Sequence, residues 1–223
     1  MLYIVATPIG NLEDISPRAI SALNSSDLIL AEDTRVTGVL LRKYAINKPM
    51  ISYHQHSKVG RVSEIIENLK EGKILSLVSD AGTPGINDPG NFLIQEILKE
   101  LPGLKVVPIP GPNAAIAALS VSGFPSDKFI FLGFPPHKKG RQTFFKKIGD
   151  IEETIVFYES KHRILKALGE LREISNIGDR LLVVARELTK QFETIYRGTA
   201  GEVLEQLNRT KVLGEFVVVI RAK

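Results

Sequence analysis

Over the first 110 residues, short apolar runs alternate with amphipathic helical patterns, and this rhythm limits the fold more than any other feature of the chain. Runs at 2–6, 28–31, 50–53, 74–78 and 106–109 read as strands. Ser16 followed by Pro17 is an N-cap and first-turn pair that opens a helix to about Leu23, and 34–44 reads as a second helix. Val59, Val62, Ile65, Ile66 and Leu69, spaced by three and four, mark one buried helix face closed by Gly72. Phe92, Leu93, Ile97, Leu98 and Leu101 mark another, and the Ala-rich stretch 114–119 makes a fifth helix. Strands joined each time by a helix must lie parallel, so residues 1 to about 110 predict an open α/β sheet covered on both faces.

The second half keeps a different rhythm. Strands are expected at 129–133, 154–158, 181–185, 195–198 and 216–220, with only three helical patterns among them. Residues 187–191, between two of these β-runs, are too few for a crossover helix, which predicts a hairpin and a mixed sheet. Gly123, Phe124 and Pro125 interrupt the pattern and put the hinge near 120–127. The expected organisation is therefore an N-terminal α/β domain, 1–119, and a C-terminal α/β domain, 120–223.

A chain of 223 residues that is 43% hydrophobic can bury a core, which excludes disorder. With no cysteine it has neither a disulfide framework nor a thiolate metal site nor a cysteine nucleophile. No apolar stretch approaches the ~18 residues of a membrane span, and no basic region precedes the first strand, so a cytoplasmic protein with no membrane partner is expected. Charge is uneven: 11 Lys and Arg face 12 Asp and Glu over 1–119, against 18 and 13 over 120–223. His137, Lys138, Lys139, Arg141, Lys146 and Lys147, interleaved with Phe144 and Phe145, form the densest basic run. Such a run could suit a phosphate backbone with stacking faces, although charge alone favours a solvated helix face.

Ligands of parallel sheets bind at the carboxyl ends of the strands, where helix N-termini and loop amides point. That rule selects the loops 6–16, 31–35, 79–90 and 110–119. The third contains Gly82, Pro84, Gly85, Pro89 and Gly90, far more backbone constraint than a chain reversal needs, and Asp80 is its best polar anchor. Neither G-x-G-x-x-G nor a P-loop is present, which argues against redox and NTPase chemistry. His54 and His56 are a minimal metal pair without a third ligand at a suggestive spacing, so no metal is expected; a metal-assisted phosphohydrolase using them with Asp80 and Asp88 stays an alternative. In the second half, YESKHR (158–163) and ARELTKQFE (185–193) follow apolar strands. Their Glu159, His162, Arg163, Arg186, Glu187, Lys190 and Glu193 can hold a polar substrate or pair among themselves.

Taken in order, ATPIGNLEDIS, AEDTR, SDAGTPGINDPG, PGPNAAIAAL, YESKHR and ARELTKQFE resemble the small-subunit ribosomal RNA methyltransferases of the tetrapyrrole (corrin/porphyrin) methylase superfamily, over nearly the whole chain. The resemblance implies two α/β domains, the first with a mainly parallel and the second with a mixed sheet, and S-adenosylmethionine folded in the cleft between them. It also implies a homodimer and 2′-O-methylation of a cytidine ribose in the decoding region of 16S rRNA. Carried onto this sequence, cofactor contacts fall to Pro8, Ile9, Asp80, Gly82, Thr83, Ala114, Ala115, Ile116, Tyr158, Ala185 and Gly214. Glu159, His162, Arg186, Glu187 and Lys190 form the expected catalytic wall, with the base unassigned and a lysine base requiring a lowered pKa. Arg35, Lys138, Lys139, Arg141 and Arg163 are the expected RNA contacts. Many members of the family continue past the strand GEFVVVI into an extension that helps dock RNA, which would put more phosphate contacts on 137–147 here or leave the dimer to shape the groove. Open alternatives are a superfamily enzyme acting on a tetrapyrrole or a protein side chain, and a non-catalytic RNA-binding module.

Overall fold

A computed structural model of the chain, described at residues 1–54, 59–88, 90–174 and 176–223, divides into two units, Met1–Asn113 and Ala114–Lys223. The first holds strands β1 (Leu2–Val5), β2 (Leu28–Ala31), β3 (Met50–Ser52), β4 (Leu75–Val78) and β5 (Val106–Ile109) in one parallel sheet of order β3-β2-β4-β1-β5. Helices α1 (Pro17–Ser25) and α2 (Thr34–Lys43) carry the chain one way across the sheet, whereas α3 (Val59–Lys70) and α4 (Gly90–Glu100) carry it back. Right-handed crossovers then require the two pairs to lie on opposite faces. They do: Ala19, Leu23, Leu40 and Leu41 share one apolar cluster, and Ile65, Leu69, Leu93 and Ile97 share another. The local signals act as expected, with Ser16 Oγ accepting from Ala19 N at 3.1 Å ahead of Pro17.

The second unit has strands β6 (Phe129–Phe131), β7 (Thr154–Ser160), β8 (Leu182–Arg186), β9 (Thr194–Gly198) and β10 (Glu215–Ile220) in the order β6-β7-β10-β8-β9. Only β6 and β7 run parallel, so the sheet is mixed, and β8 and β9 form the antiparallel hairpin predicted from their short connection. Helices α6 (Arg141–Asp150), α7 (Ile164–Arg172) and α8 (Ala200–Asn208) cover one face around Phe145, Phe157, Leu168 and Leu207. On the other face, α5 (Ala114–Ser120) sets Ala115, Ala118 and Leu119 against Val156, Val183, Ala185, Val217 and Val219. The boundary therefore falls at Asn113/Ala114 and not at 119/120: α5 buries its small side chains on the second sheet, so it belongs to the second unit.

Candidate active site

In the first unit the parallel register ends four strands at one level, with Val78 beside both Val5 and Ala31, and Val5 beside Ile109. The connections leaving β1 and β4 head in opposite directions across the sheet, the arrangement that opens a crevice at the strand ends. Here the loops are stitched together. Thr7 and Gly82 exchange backbone hydrogen bonds of 2.9 and 3.1 Å, Thr7 Oγ1 donates to Ser79 O at 3.0 Å, and Thr83 Oγ1 donates to Pro112 O at 3.2 Å. Gly82 has φ +84°, while an added Cβ would meet Ile9 and Pro112 only at ordinary van der Waals distance, so the backbone angle demands glycine. Asp88 Oδ1 accepts from Gly85 N and Gly90 N, both at 2.7 Å, and so closes the loop on itself.

Charge at this end is uneven. Asp80 is exposed at the rim with Oδ1 accepting from Asp33 N at 2.9 Å. Partial burial raises its carboxyl above the ordinary value despite that bond, and the charge of Asp33 adds to the rise. Glu32 is raised by burial and then by Asp80. Asp33 is held down at about 2 by its hydrogen bonds from Arg35, whose Nη2 lies 2.6 Å from Oδ2. Asp80 and Glu32 thus lack full compensation, a condition that a cationic or hydrogen-bond-donating ligand relieves. Pro8, Ile9 and Gly82 are buried beside them and Thr83 is half-buried.

In the second unit β10 lies between β7 and β8, with Phe216 opposite both Glu159 and Arg186. The sheet thereby draws YESKHR and ARELTKQFE to one end. Alternation along the strands puts Tyr158 and Ala185 on the α5 face and Glu159 on the helical face with Phe157. Tyr158 Oη accepts from Ala115 N at 3.2 Å, its ring packs against Phe131 and Phe134, and burial raises its pKa. Among the expected cofactor residues, Ala114, Ala115, Tyr158 and Ala185 therefore meet, with Ile116 exposed on α5.

Three of the expected charged residues lie in one ion network. Glu159, expected on the catalytic wall, is buried: Oε1 takes Ser160 N at 2.7 Å and Arg163 Nη2 at 2.9 Å, and Oε2 takes Arg141 Nη1 at 3.3 Å. Its side chain is inaccessible to solvent. Arg141, expected to contact RNA, is 3% exposed; its Nε bonds Glu170 at 2.8 and 3.1 Å, and its guanidinium lies 4.9 Å over the Phe145 ring. Its Nη2, 2.8 Å from Glu170 Oε2, is an ion-pair partner out of line for a hydrogen bond. Arg163, expected at phosphate, spends its donors on Glu159, on Ser160 Oγ at 3.3 Å and on Pro135 O at 3.1 Å. Glu170 and the carbonyls of Pro135 and Pro136 complete this network, and no sequence motif marks them. The spacing of Arg141, Phe145 and Ile148 on one helix face, and of Ile155, Phe157 and Glu159 on one strand face, carried the signal for Arg141 and Glu159.

Across β10, Glu187 Oε1 takes Glu215 N and Lys190 Nζ, each at 3.0 Å, and Lys190 reaches Glu215 Oε2 at 2.9 Å. Burial alone would lower the Lys190 pKa, but Glu215 and Glu187 outweigh it and the net shift is upward. Lys190 therefore stays an ammonium, the opposite of what a lysine base needs. Burial pulls Glu187 up, yet Lys190, the Glu215 amide and Arg186 carry it below its ordinary value. Gly214, at φ +88°, fits against Glu187, whose side chain would collide with any Cβ there. Arg186 Nε donates to Leu213 O at 2.8 Å. His162, Lys138 and Lys139 are exposed, and exposed Arg35 is paired with Asp33. Among the described residues no group of three or more His, Cys, Asp or Glu side chains is arranged to hold a metal, and no helix is long and apolar enough to cross a membrane. His54 is exposed; His56 and Pro89 lie outside the described residues.

The profile of the Tetrapyrrole (Corrin/Porphyrin) Methylases matches residues 1–204. The chain belongs to this family. Within these methylases it is similar to proteins named ribosomal RNA small subunit methyltransferase I: 48% identical to that of Thermotoga maritima over 100% of this chain and 98% of the relative, and 47% identical to that of Escherichia coli O157:H7 over 98% and 77%. The Bacillus subtilis protein is 47% identical over 99% of this chain and 74% of its own length. The chain is accordingly a methyltransferase. Solved methylases share the fold at low identity. A cobalt precorrin-4 methyltransferase of cobalamin biosynthesis has a TM-score of 0.74 at 19% identity, over 99% of this chain and 94% of its own. A diphthine synthase reaches 0.73 at 16%, over 99% and 89%.

Proposed function

We propose that this methylase binds S-adenosylmethionine and methylates the ribose 2′-oxygen of a cytidine in the decoding region of 16S rRNA, within the small ribosomal subunit. The observation that carries the cofactor half of this reading is the stitched end of the first sheet, where partial burial raises the Asp80 and Glu32 carboxyls above their ordinary pKa despite a backbone amide on each. Ribose hydroxyls and an amino group are suitable donors, and a sulfonium adds positive charge. Pro8, Ile9, Gly82 and Thr83 frame the same loops, which the Thr7–Gly82 bridge fixes in advance of binding. In the second unit Ala114, Ala115, Ile116, Tyr158, Ala185 and Gly214 are proposed as cofactor contacts, and the small side chains of Ala114 and Ala115 permit close approach.

When bound, the cofactor supplies an electrophilic methyl to an oxygen nucleophile. The chain has to hold that oxygen in line and accept its proton late in the transfer. With Glu159 buried in ion pairs and Lys190 kept charged, Glu187 and His162 are the acceptors we propose, and Arg186 orients them or the substrate. Exposed Lys138, Lys139 and Arg35 contribute the phosphate contacts, supported by the excess of Lys and Arg in the second half and by the names of the relatives. A homodimer is proposed as the working form. The test is to incubate the protein with methyl-labelled cofactor and small subunits lacking the modification, then map the label. Label on a cytidine 2′-oxygen of the decoding region supports the reading; label elsewhere, or none, overturns it.

A further inference from the structure

We propose that Phe134 is a base-stacking residue for the RNA substrate, held out by a turn that a buried ion network clamps. The inference rests on the RNA reading above and deepens it by naming where an unpaired base meets the chain.

Phe134 follows β6 on the turn Gly133-Phe134-Pro135-Pro136 and is 49% exposed. An exposed phenylalanine alone means little, but the backbone on both sides of this one is held. Gly133 adopts φ +62° and its carbonyl accepts from Tyr158 N at 2.8 Å. The Phe134 ring lies 5.4 Å from that of Tyr158, centroid to centroid, at an interplanar angle of 59°, which supports one part of the ring and leaves the rest to solvent. The next two residues are prolines, and both their carbonyls are gripped: Pro135 O by Arg163 Nη1 at 3.1 Å and Pro136 O by Arg141 Nη1 at 3.2 Å. Those two guanidiniums are held in turn by Glu159 and Glu170. Burying such charges is costly, and a turn with no ligand to meet does not require it.

The surroundings identify the ligand. His137, Lys138 and Lys139 are exposed on the chain leaving the turn, and Lys161 and His162 are exposed immediately before the clamping Arg163. A rigid aromatic ring flanked by cations is the composition that binds unpaired nucleic acid, the ring stacking on a base and the cations following the phosphates. Phe92 and Phe192 are exposed too, at 54% and 69%, but neither sits on a clamped turn, and Phe192 is followed by Glu193.

The test compares Phe134→Ala, Phe134→Leu and Phe134→Trp in the full chain by methyl transfer to unmodified small subunits, cofactor affinity by calorimetry, and the thermal midpoint. Loss of one stacked base raises KM for subunits about tenfold in Phe134→Ala. Cofactor affinity and midpoint should stay near the parent's, and Phe134→Trp but not Phe134→Leu should restore KM. An unchanged KM in Phe134→Ala, equal rescue by Leu, or weakened cofactor binding without a change in KM each overturns the inference and leaves the RNA reading standing. A parent protein that transfers no methyl to subunits overturns that reading, and this inference with it.

Discussion

Replacing Glu159 by alanine separates a catalytic carboxylate from a structural one. Its two oxygens accept from one backbone amide and two guanidiniums, and its side chain is inaccessible to solvent, as Arg141 nearly is. Removing one partner of a buried charge network typically costs about 3–5 kcal/mol. Arg141 keeps Glu170 and Pro136 O, and Arg163, 15% exposed, keeps Ser160 Oγ and Pro135 O with some access to water, so the lower end, about 3 kcal/mol, is expected. For a chain of 223 residues each kcal/mol moves the midpoint by roughly 2–4 °C, which puts the fall at roughly 6–12 °C by calorimetry or circular dichroism. Replacing both Glu159 and Arg141 by leucine should cost less than the two single changes added together, because neither charge is then stranded. A catalytic base predicts the reverse: a large loss of kcat at an unchanged midpoint. A midpoint within about 2 °C of the parent in Glu159→Ala would refute the clamp.

Gly82→Ala should cost about 1–2 kcal/mol in urea unfolding because its φ is +84° while space is available, and it should weaken cofactor binding by loosening the Thr7 bridge; a variant as stable as the parent would show that the angle is not enforced. Asp80 is raised in the folded state, so it binds its proton more tightly there than in the unfolded chain and its contribution to stability falls as pH rises through the carboxylate range. Asp80→Asn keeps the Asp33 bond and should be as stable as the parent or more so at pH 7, yet bind S-adenosylmethionine more weakly; calorimetry checks both. Glu187 is lowered, so its contribution is present above the ordinary glutamate range and lost as pH falls through the folded value; Glu187→Gln should flatten the acid limb of a stability-versus-pH profile. Reversing charge at Lys138 and Lys139 should reduce the salt slope of RNA affinity by about two and leave cofactor binding intact, and an unchanged slope would remove this segment from the RNA footprint.

Much of the fold could be read from periodicity because strands and helices answer to different spacings. The run 28–31 and the cap at Ser16 are strictly local, and both appear where the sequence puts them. The placement of α5 could not be read this way, since its small residues fit any sheet and only contacts distant in sequence choose the second. At the site, the segments YESKHR and ARELTKQFE were legible as neighbours to be, but the roles within them were not. The expected strand at 154–158 stopped one residue short of Glu159, and β7 in fact runs to Ser160, so the alternation that turns Glu159 away from Tyr158 was cut off. Arg141 adjoins Lys138 and Lys139 in sequence, but α6 begins at Arg141 and turns it inward.

The position of β10 has a consequence for biosynthesis. It fills the gap between β7 and β8, so the mixed sheet stays split until residues 215–220 have left the ribosome, whereas every strand of the parallel sheet is present once residue 109 is made. During translation the nascent chain thus carries one finished half and one with two bare strand edges, the condition in which misassembly and chaperone capture are most frequent.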